Sequence, residues 1–377
     1  MRIYLDNAAT TAISPTVVSA MLPFLTQHYG NPSSIHADGR AARAAIEQAR
    51  KTVARHLNAS VSEIFFTSCG TESNNMALKC AVRDLAVQRI ISTRAEHHCV
   101  LHSTETLYRE GVEVVYLALD EQGHFAIADL KYALQNSDKK TLVSLMYGNN
   151  EIGTRHPIAA VGALCAAHNA YFHTDTVQAV GHELLDAQAL GVHFLSGSAH
   201  KFNGPKGIGF LYINADTVLS PFIDGGAQER NMRGGTENVA GIVGLAQALE
   251  EAYTDLTTKQ LYIKNIKNYT LQLLRDNFAD IEFNGDLDNS LHHILSVSFA
   301  PSMRADMLVF NLDVAGISAS GGSACSSGVE NASHVMAATR PDSDRRTLRL
   351  SFSQHTTIDE IDVTVSKLKQ ILGVVAT

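Results

Sequence analysis

Residues 63–75 read EIFFTSCGTESNN, a sequence that predicts a strand, a tight turn and the start of a helix. The apolar residues 64–66 suit a short strand buried on both faces, and helical spacing begins after the glycine. A helix that starts directly after a strand points free backbone N–H groups and its positive dipole end at one position. Gly70 and Thr71 lie there, so this turn suits a phosphate group. An ordinary helix cap formed by Thr71 or Ser73 is the alternative interpretation.

The same order of elements repeats along most of the chain. Strands are predicted at 63–67, 89–93, 112–117, 141–147, 170–173, 193–196 and 209–213, and helices at 41–57, 76–90 and 158–168. Strands that alternate with helices of about 10–15 residues indicate a mostly parallel sheet with helices on both faces. We therefore predict an α/β fold whose large domain covers residues 15–255.

A second pattern begins within the mostly helical stretch 237–278, where we place a domain boundary near residue 255. Strands are predicted near 281–283 and at 294–299 and 346–352, with helices at 305–312 and 358–372. This mixture predicts a smaller α+β domain, formed by residues 1–14 together with 256–377.

Composition excludes several classes of protein. The 377 residues carry 30 Lys and Arg against 38 Asp and Glu, a net charge of −8, so we expect no direct binding of nucleic acid. No apolar run approaches the roughly 18–20 residues of a membrane span, and no secretion signal is visible, which predicts a cytoplasmic protein without membrane contact. The five cysteines form an odd set without a C-x-x-C pair, which argues against a disulfide framework or a four-thiolate zinc site.

Two further stretches place charged residues after predicted strands. Residues 170–178, AYFHTDTVQ, end a strand in Asp175, at the edge where α/β sheets bind ligands. Residues 195–209, LSGSAHKFNGPKGIG, place Lys201 among small residues, where a partly desolvated amine can form an imine. A surface turn is the alternative for the acid, and a solvated surface charge is the alternative for the lysine.

One cofactor accounts for the phosphate position, the acid and the lysine together. Pyridoxal 5′-phosphate requires a phosphate site, an acid for its pyridinium nitrogen and a lysine for its aldehyde. With these residues, the chain resembles the cysteine desulfurases of the NifS and IscS type, which are class V, fold-type I pyridoxal-phosphate enzymes. The matching stretches are 4–11 (YLDNAATT), 30–36 (GNPSSIH), 71–75 (TESNN), 96–97 (EH), 149–153 (NNEIG), 175–178 (DTVQ), 198–209 (SAHKFNGPKGIG), 233–236 (RGGT), 323–327 (SACSS) and 349–351 (RLS).

The resemblance implies a role for each matching residue. Lys201 would form the imine with the cofactor and move protons at the substrate Cα, and Asp175 would pair with the pyridinium N–H. Gln178 would bind the phenolic oxygen, and His97 would stack on the ring and assist proton transfer. The implied phosphate ligands are Gly70, Thr71, Ser198 and His200, with Thr236 reaching the phosphate from a second subunit of a homodimer. The implied ligands of the substrate, L-cysteine, are Asn150 and Arg349, with Arg349 pairing with its carboxylate.

Histidines 97, 98 and 102 could be taken for metal ligands. They lack the paired spacings of a zinc site, so we expect no metal here. A structural role is the stronger alternative for His98 and His102.

The most distinctive residue is Cys325, in the segment SASGGSACSSG at 318–328. Because small side chains make few packing contacts, we predict a mobile loop over about 318–335. A mobile loop favours a nucleophile that must move during the reaction. Cys80 and Cys165 lie on predicted helices and are expected in the core, and Cys99 is expected to be structural. Cys69, beside the phosphate turn, stays ambiguous.

The resemblance implies conversion of L-cysteine to L-alanine with a persulfide formed on Cys325. A sulfur-acceptor protein would then use this sulfur for iron–sulfur cluster assembly, or for thiolation of other cofactors or of tRNA. A selenocysteine lyase or another class V aminotransferase or lyase is the alternative enzyme. A catalytically idle binding subunit is the third hypothesis, against which the intact Lys201, Asp175, His97 and Cys325 argue.

Overall fold

The structure is a computed structural model that describes residues 2–321 and 333–374. The strands in this part of the chain are β1 (Ile3–Tyr4), β2 (Ile64–Thr67), β3 (Arg89–Thr93), β4 (Glu113–Leu117), β5 (Thr141–Ser144), β6 (Tyr171–Asp175), β7 (Phe194–Ser198), β8 (Gly209–Ile213), β9 (Ile281–Asn284), β10 (Ile294–Phe299), β11 (Ile317–Ser318) and β12 (Arg346–Ser351). The helices are α1 (Pro15–Thr26), α2 (Ala37–His56), α3 (Gly70–Leu85), α4 (His98–Arg109), α5 (Ile127–Gln135), α6 (Ile158–Ala167), α7 (Ala187–Leu190), α8 (Val239–Tyr253), α9 (Leu256–Asn277), α10 (Met303–Asp306), α11 (Leu308–Val314), α12 (His334–Thr339) and α13 (Ile358–Leu372).

Seven strands form the large sheet, in the order β2-β8-β7-β6-β5-β3-β4. The four pairs among β3, β4, β5, β6 and β7 are parallel, whereas β8 pairs with both of its neighbours in antiparallel orientation. Consecutive residues of β2 face two different cores, since Phe65 packs in one and Phe66 in the other. A sheet with a core on each face needs apolar strands, which explains the apolar run in the sequence. The predicted α/β fold with a mostly parallel sheet is confirmed.

A separate core lies against an antiparallel sheet of order β12-β10-β9 and the helices α9 and α13. The start of the chain joins this region, because β1 pairs with β11 and Leu5 packs in the same core. Ser351, at the end of β12, binds residues 5–8 near the start of the chain. Its N–H donates to the carbonyl of Leu5, its Oγ accepts from the N–H of Ala8, and its carbonyl accepts from Asn7 Nδ2.

Some elements differ from the sequence predictions. The helical stretch 237–278 is two helices, because Asp255 adopts a left-handed backbone with φ 53° that ends the continuous path between α8 and α9. The helix expected at 305–312 is likewise two short helices, α10 and α11. Helices α1, α4 and α5 were not predicted from the sequence. The domain boundary near residue 255 stays a prediction.

The described residues leave one internal gap, at 322–332. Cys325 and the rest of 322–332 lie outside them, so the predicted loop at about 318–335 is described only at its two ends. Across residues 2–321 and 333–374, no helix has both the length and the apolar character that a membrane crossing requires.

Candidate active site

A cavity of about 250 Å³ lies where the parallel strands end and α3 begins. Ligands of α/β proteins bind at this edge of the sheet. Ten of the residues singled out in the sequence line this cavity: Gly70, Thr71, His97, Asn150, Asp175, Gln178, Ser198, His200, Lys201 and Arg349. Residues that are far apart in the sequence are therefore brought together by the fold, as the topology of a parallel sheet predicts.

The start of α3 forms one side of the cavity. Ser198 ends β7, and its buried Oγ has no hydrogen-bond partner within the described residues. A Cβ on Gly70 would lie 2.6 Å from Val177 Cγ2, so glycine is what lets the turn before α3 approach the segment that follows β6. An unpartnered hydroxyl beside the N-terminus of a sixteen-residue helix is an arrangement that suits a phosphate.

Asp175 is buried at the end of β6 and is held by two donors. Asn74 Nδ2 lies 2.6 Å from Asp175 Oδ2, and the Val177 N–H lies 2.9 Å from Asp175 Oδ1. Asn74 is itself fixed, because its Oδ1 lies 3.0 Å from His173 Nε2, and burial lowers the pKa of His173 to about 4. The neutral ring donates this bond from Nε2, so Asn74 must present its amide nitrogen to Asp175. Asn74 lies in the TESNN stretch, but its role could not be predicted from the sequence because this contact spans about a hundred residues.

Lys201 follows β7 in a single turn of 3₁₀ helix, Ala199–Lys201. Its Nζ donates to the backbone carbonyls of Ala8, at 2.6 Å, and Ala9, at 2.8 Å. The N-terminal segment thus supplies two acceptors that aim the amine at the cavity. Next to it, burial lowers the pKa of His200 to about 4, with the charges of Lys201 and Lys206 adding to the effect. The His200 ring is therefore neutral near pH 7.

His97 caps the start of α4, where its Nδ1 accepts from the Cys99 N–H at 3.2 Å. An acceptor nitrogen carries no proton, so Nε2 of the neutral ring is protonated. Burial lowers the pKa of His97, and the Lys201 ammonium adds to this while Asp175 opposes it. His97 therefore offers a neutral imidazole with a fixed tautomer.

Arg349 lies in β12 and is almost completely buried. One of its terminal nitrogens donates to the carbonyl of Asn150 and the other to Asp6 Oδ1, both at 2.8 Å. Its buried Nε has no hydrogen-bond partner in the part of the chain described. A guanidinium with remaining donor capacity at the cavity wall suits a carboxylate. Asp6 is a residue that sequence analysis did not assign, although it lies in the quoted YLDNAATT stretch.

Taken together, these residues fit pyridoxal phosphate. The unpartnered Ser198 hydroxyl and the start of α3 match its phosphate, the fixed carboxylate of Asp175 matches its ring nitrogen, and the Lys201 amine matches its aldehyde.

Two predicted residues are not part of this cavity in the described chain. Thr236 lines a different pocket, together with Ser68, Glu229 and Arg233. Its predicted contact with the phosphate of a second subunit therefore stays a prediction, and Cys325 lies outside the described residues.

Cys80 and Cys165 lie in the core, whereas Cys69 and Cys99 are partly buried and line the cavity. Cys80 and Cys165 are fully buried, as predicted, and burial raises the pKa of the Cys99 thiol to about 12. His98 stacks on His102 with ring centroids 5.4 Å apart. Within residues 2–321 and 333–374, no group of three or more His, Cys, Asp or Glu is arranged to hold a metal ion.

The fold is of the aminotransferase type, and the residues of the cavity fit pyridoxal phosphate. The family model described as Aminotransferase class-V matches residues 3–363, and the chain belongs to this family.

Among curated proteins, the chain is similar to the putative cysteine desulfurase IscS 1 of Bacillus subtilis (strain 168), with 42% identity over 98% of each chain. It is 41% identical to the cysteine desulfurase IscS of Dictyoglomus turgidum, over 98% of this chain and 94% of that one. The predicted resemblance to cysteine desulfurases is confirmed.

Solved structures lead to the same group. A NifS-like protein superposes with a TM-score of 0.92 at 35% identity, covering 100% of both chains. SspA in complex with cysteine superposes with a TM-score of 0.82 at 31% identity, covering 95% of this chain and 100% of that one.

Proposed function

We propose that this chain is a pyridoxal-phosphate-dependent cysteine desulfurase that converts L-cysteine to L-alanine and keeps the sulfur on Cys325 as a persulfide. The observation that carries the proposal is the convergence of a lysine amine, a fixed carboxylate and a buried guanidinium on one cavity, in Lys201, Asp175 and Arg349. This set matches an amino-acid substrate and its cofactor. Similarity to proteins named cysteine desulfurase, at 42% and 41% identity over nearly the whole chain, supports the substrate.

The cofactor-binding part of the proposal assigns each cavity residue a task. Pyridoxal phosphate, when bound, supplies an electron sink for the bonds at the substrate α-carbon. The phosphate ligands would be the N–H groups at Gly70 and the side chains of Thr71, Ser198 and His200. Asp175 would accept the hydrogen bond of the ring nitrogen, and Gln178 would donate to the ring oxygen.

Two other residues that line the cavity, Asn150 and Arg349, would bind the substrate. Arg349 would pair with the carboxylate of L-cysteine, and Asn150, whose carbonyl already binds that guanidinium, would help to orient it. Lys201 Nζ would take the proton from the substrate Cα, because the carbonyls of Ala8 and Ala9 aim the amine at the cavity. The protonated Nε2 of His97 would donate to the reacting groups.

The nucleophile of the sulfur step would be the thiol of Cys325. Its thiolate would attack the substrate sulfur, so that an S–S bond forms, the substrate C–S bond breaks, and protons return to the carbon chain to give alanine. One thiol and one cysteine give one persulfide and one alanine, without an external oxidant. Support comes from the flanking residues: Ser320 accepts the N–H of Arg349 at 2.7 Å, and Ser333 Oγ donates to Glu151. Both ends of the segment therefore contact residues beside the cavity wall.

We further propose that the protein is a homodimer that passes sulfur to an acceptor protein in the cytoplasm. Apolar side chains of α1 and the segment after it, including Leu25, Tyr29 and Ile35, are 63%, 84% and 91% exposed, which suits contact with a second copy. The four described cysteines are free thiols, which suits a reducing compartment.

The test is alanine release from L-cysteine by the cofactor-loaded protein with reductant present. We expect alanine from the wild type and from Cys165→Ala, whose thiol is buried in α6. We expect none from Cys325→Ser or Lys201→Ala. Full activity of Cys325→Ser would contradict the persulfide step, and alanine released only from selenocysteine would favour the lyase alternative.

A further inference from the structure

Two stacked histidines lie behind the active-site cavity, and the mechanism above uses neither. His182 and His293 have ring centroids 4.1 Å apart and planes 21° apart. His182 belongs to the segment after β6, whereas His293 directly precedes β10, so the pair joins the large sheet to the antiparallel one. Both line a second cavity of about 290 Å³, together with Phe202 and Asn203, which follow Lys201 in the chain.

Each of these histidines hydrogen-bonds a residue of the active site. His293 Nε2 lies 3.1 Å from Gln178 Oε1, and His182 Nε2 lies 3.0 Å from the carbonyl of Lys201. Both partner atoms can only accept, so both Nε2 atoms carry a proton. Burial lowers the pKa of both rings, so each is a neutral donor with a fixed tautomer near pH 7.

The contacts with His293 and with Ala8 together hold the Gln178 amide in one orientation. Gln178 Oε1 receives the bond from His293, and Gln178 Nε2 donates to the carbonyl of Ala8 at 2.9 Å. A flipped amide would set its N–H groups against the His293 N–H and its oxygen against the Ala8 oxygen, so the flipped state is excluded. The second N–H of Nε2 remains for the cavity that Gln178 lines.

We propose that His293 is a positioning residue that holds Gln178 as a hydrogen-bond donor toward the ring oxygen of the bound cofactor, with His182 stacked against it. The inference rests on the proposed cofactor and adds a residue that does not touch it. A donor at this oxygen stabilises the anionic form, and therefore lowers the pH at which the bound cofactor changes its absorbance. Loss of the donor moves that pH upward.

The experiment compares His293→Leu with wild type by cofactor affinity and by absorbance. Apoprotein is titrated with pyridoxal phosphate, and the pH midpoint of the visible band is then measured. In His293→Leu the amide of Gln178 keeps its bond to Ala8 but loses the one that holds its oxygen, so we expect cofactor binding weakened by up to about tenfold and a midpoint raised by up to about one pH unit. The ionisable residues that line the cavity stay the same in every variant: Cys69, His97, Cys99, Asp175, His200, Lys201 and Arg349.

Two matched pairs of variants separate positioning from general damage. His293→Gln sets an amide N–H near the place of Nε2 and should restore both the cofactor affinity and the pH midpoint. The shorter His293→Asn keeps the polarity but should restore neither. If the leucine variant does not fold, His293→Asn takes its place in the comparison. His292→Leu, in a half-buried neighbour on the same second cavity, should leave both unchanged. In a Gln178→Ala background, His293→Asn should add no further shift.

The outcomes keep the two proposals apart. A wild type that forms no visible band with pyridoxal phosphate refutes the proposed function. A wild type that forms the band, with an unchanged midpoint and affinity in both His293→Leu and His293→Asn, refutes the role of His293 alone. The role of His293 is also refuted if His293→Gln fails to restore the midpoint although its thermal unfolding matches that of the wild type.

Discussion

Replacement of Asn74 by alanine tests how the carboxylate of Asp175 is kept ready for a cationic ring nitrogen. Asp175 has two donors, Asn74 Nδ2 at 2.6 Å and the Val177 N–H at 2.9 Å, and the substitution removes the shorter bond. A hydrogen bond to a charged group contributes about 1.5–3 kcal/mol, which is about 10- to 150-fold in affinity. Because the Val177 bond remains, we expect the lower end: pyridoxal phosphate bound about tenfold more weakly. Equilibrium dialysis of the apoprotein measures this directly.

Two variants make that prediction sharper. Asn75→Ala removes the same side chain one position along α3, where Asn75 binds Thr71 and Ser103 instead, and should leave affinity for the cofactor unchanged. Asn74→Asp sets a second carboxyl beside Asp175 that can donate only when protonated, so its affinity should fall as pH rises. The reasoning is refuted if Asn74→Ala binds within twofold of wild type, or if Asn75→Ala is weakened as much.

Three other outcomes are expected. Arg349→Lys, which loses the planar fork, should raise KM for L-cysteine about tenfold or more, measured by alanine release, and an unchanged KM would contradict the assigned carboxylate contact. Glu229→Gln should lower the free energy of unfolding by about 2 kcal/mol because the guanidinium of Arg50, 0% exposed, loses the charge of its buried partner and keeps only Glu47, 3.4 Å from its Nε, whereas Glu250→Gln in an exposed pair should cost under about 1 kcal/mol. Urea unfolding followed by circular dichroism measures both, since the chain has no tryptophan, and equal losses would contradict the difference in burial. The free energy of unfolding should also fall between pH 6.5 and 4, because the pKa values of buried histidines such as His156 and His173 are about 4 and only the unfolded chain binds these protons in this window. His173→Gln should reduce the slope by the share of one proton, and an unchanged slope would contradict this.

The sequence predicted the parts of this molecule that follow from local patterns. Apolar runs between helices gave the parallel sheet, and the ends of those strands then gave the positions of Asp175, Ser198 and Lys201 on one edge. Helix α4 was not predicted because half of its buried face is polar: Ser103 and Thr104 lie there between Val100 and Leu107.

The contacts that orient the site could not be predicted in the same way. Asn74 reaches Asp175 across 101 positions, and His293 reaches Gln178 across 115. Such pairs depend on how two elements pack, and neither residue is unusual in its own segment. Backbone acceptors are harder still, since the carbonyls that hold Lys201 belong to Ala8 and Ala9, whose side chains carry no chemical signal.

The bonds between Ser351 and residues 5–8 also bear on how the protein is made. Residues near the start of the chain leave the ribosome first, yet Leu5 and Ala8 find their partner only after Ser351 has been synthesised. At about 5–20 residues per second, that delay is roughly 17–70 seconds. The carbonyl of Ala8 then receives both Lys201 Nζ and Gln178 Nε2. A nascent chain with all of its large sheet therefore still lacks an aimed lysine amine until Ser351 has been synthesised.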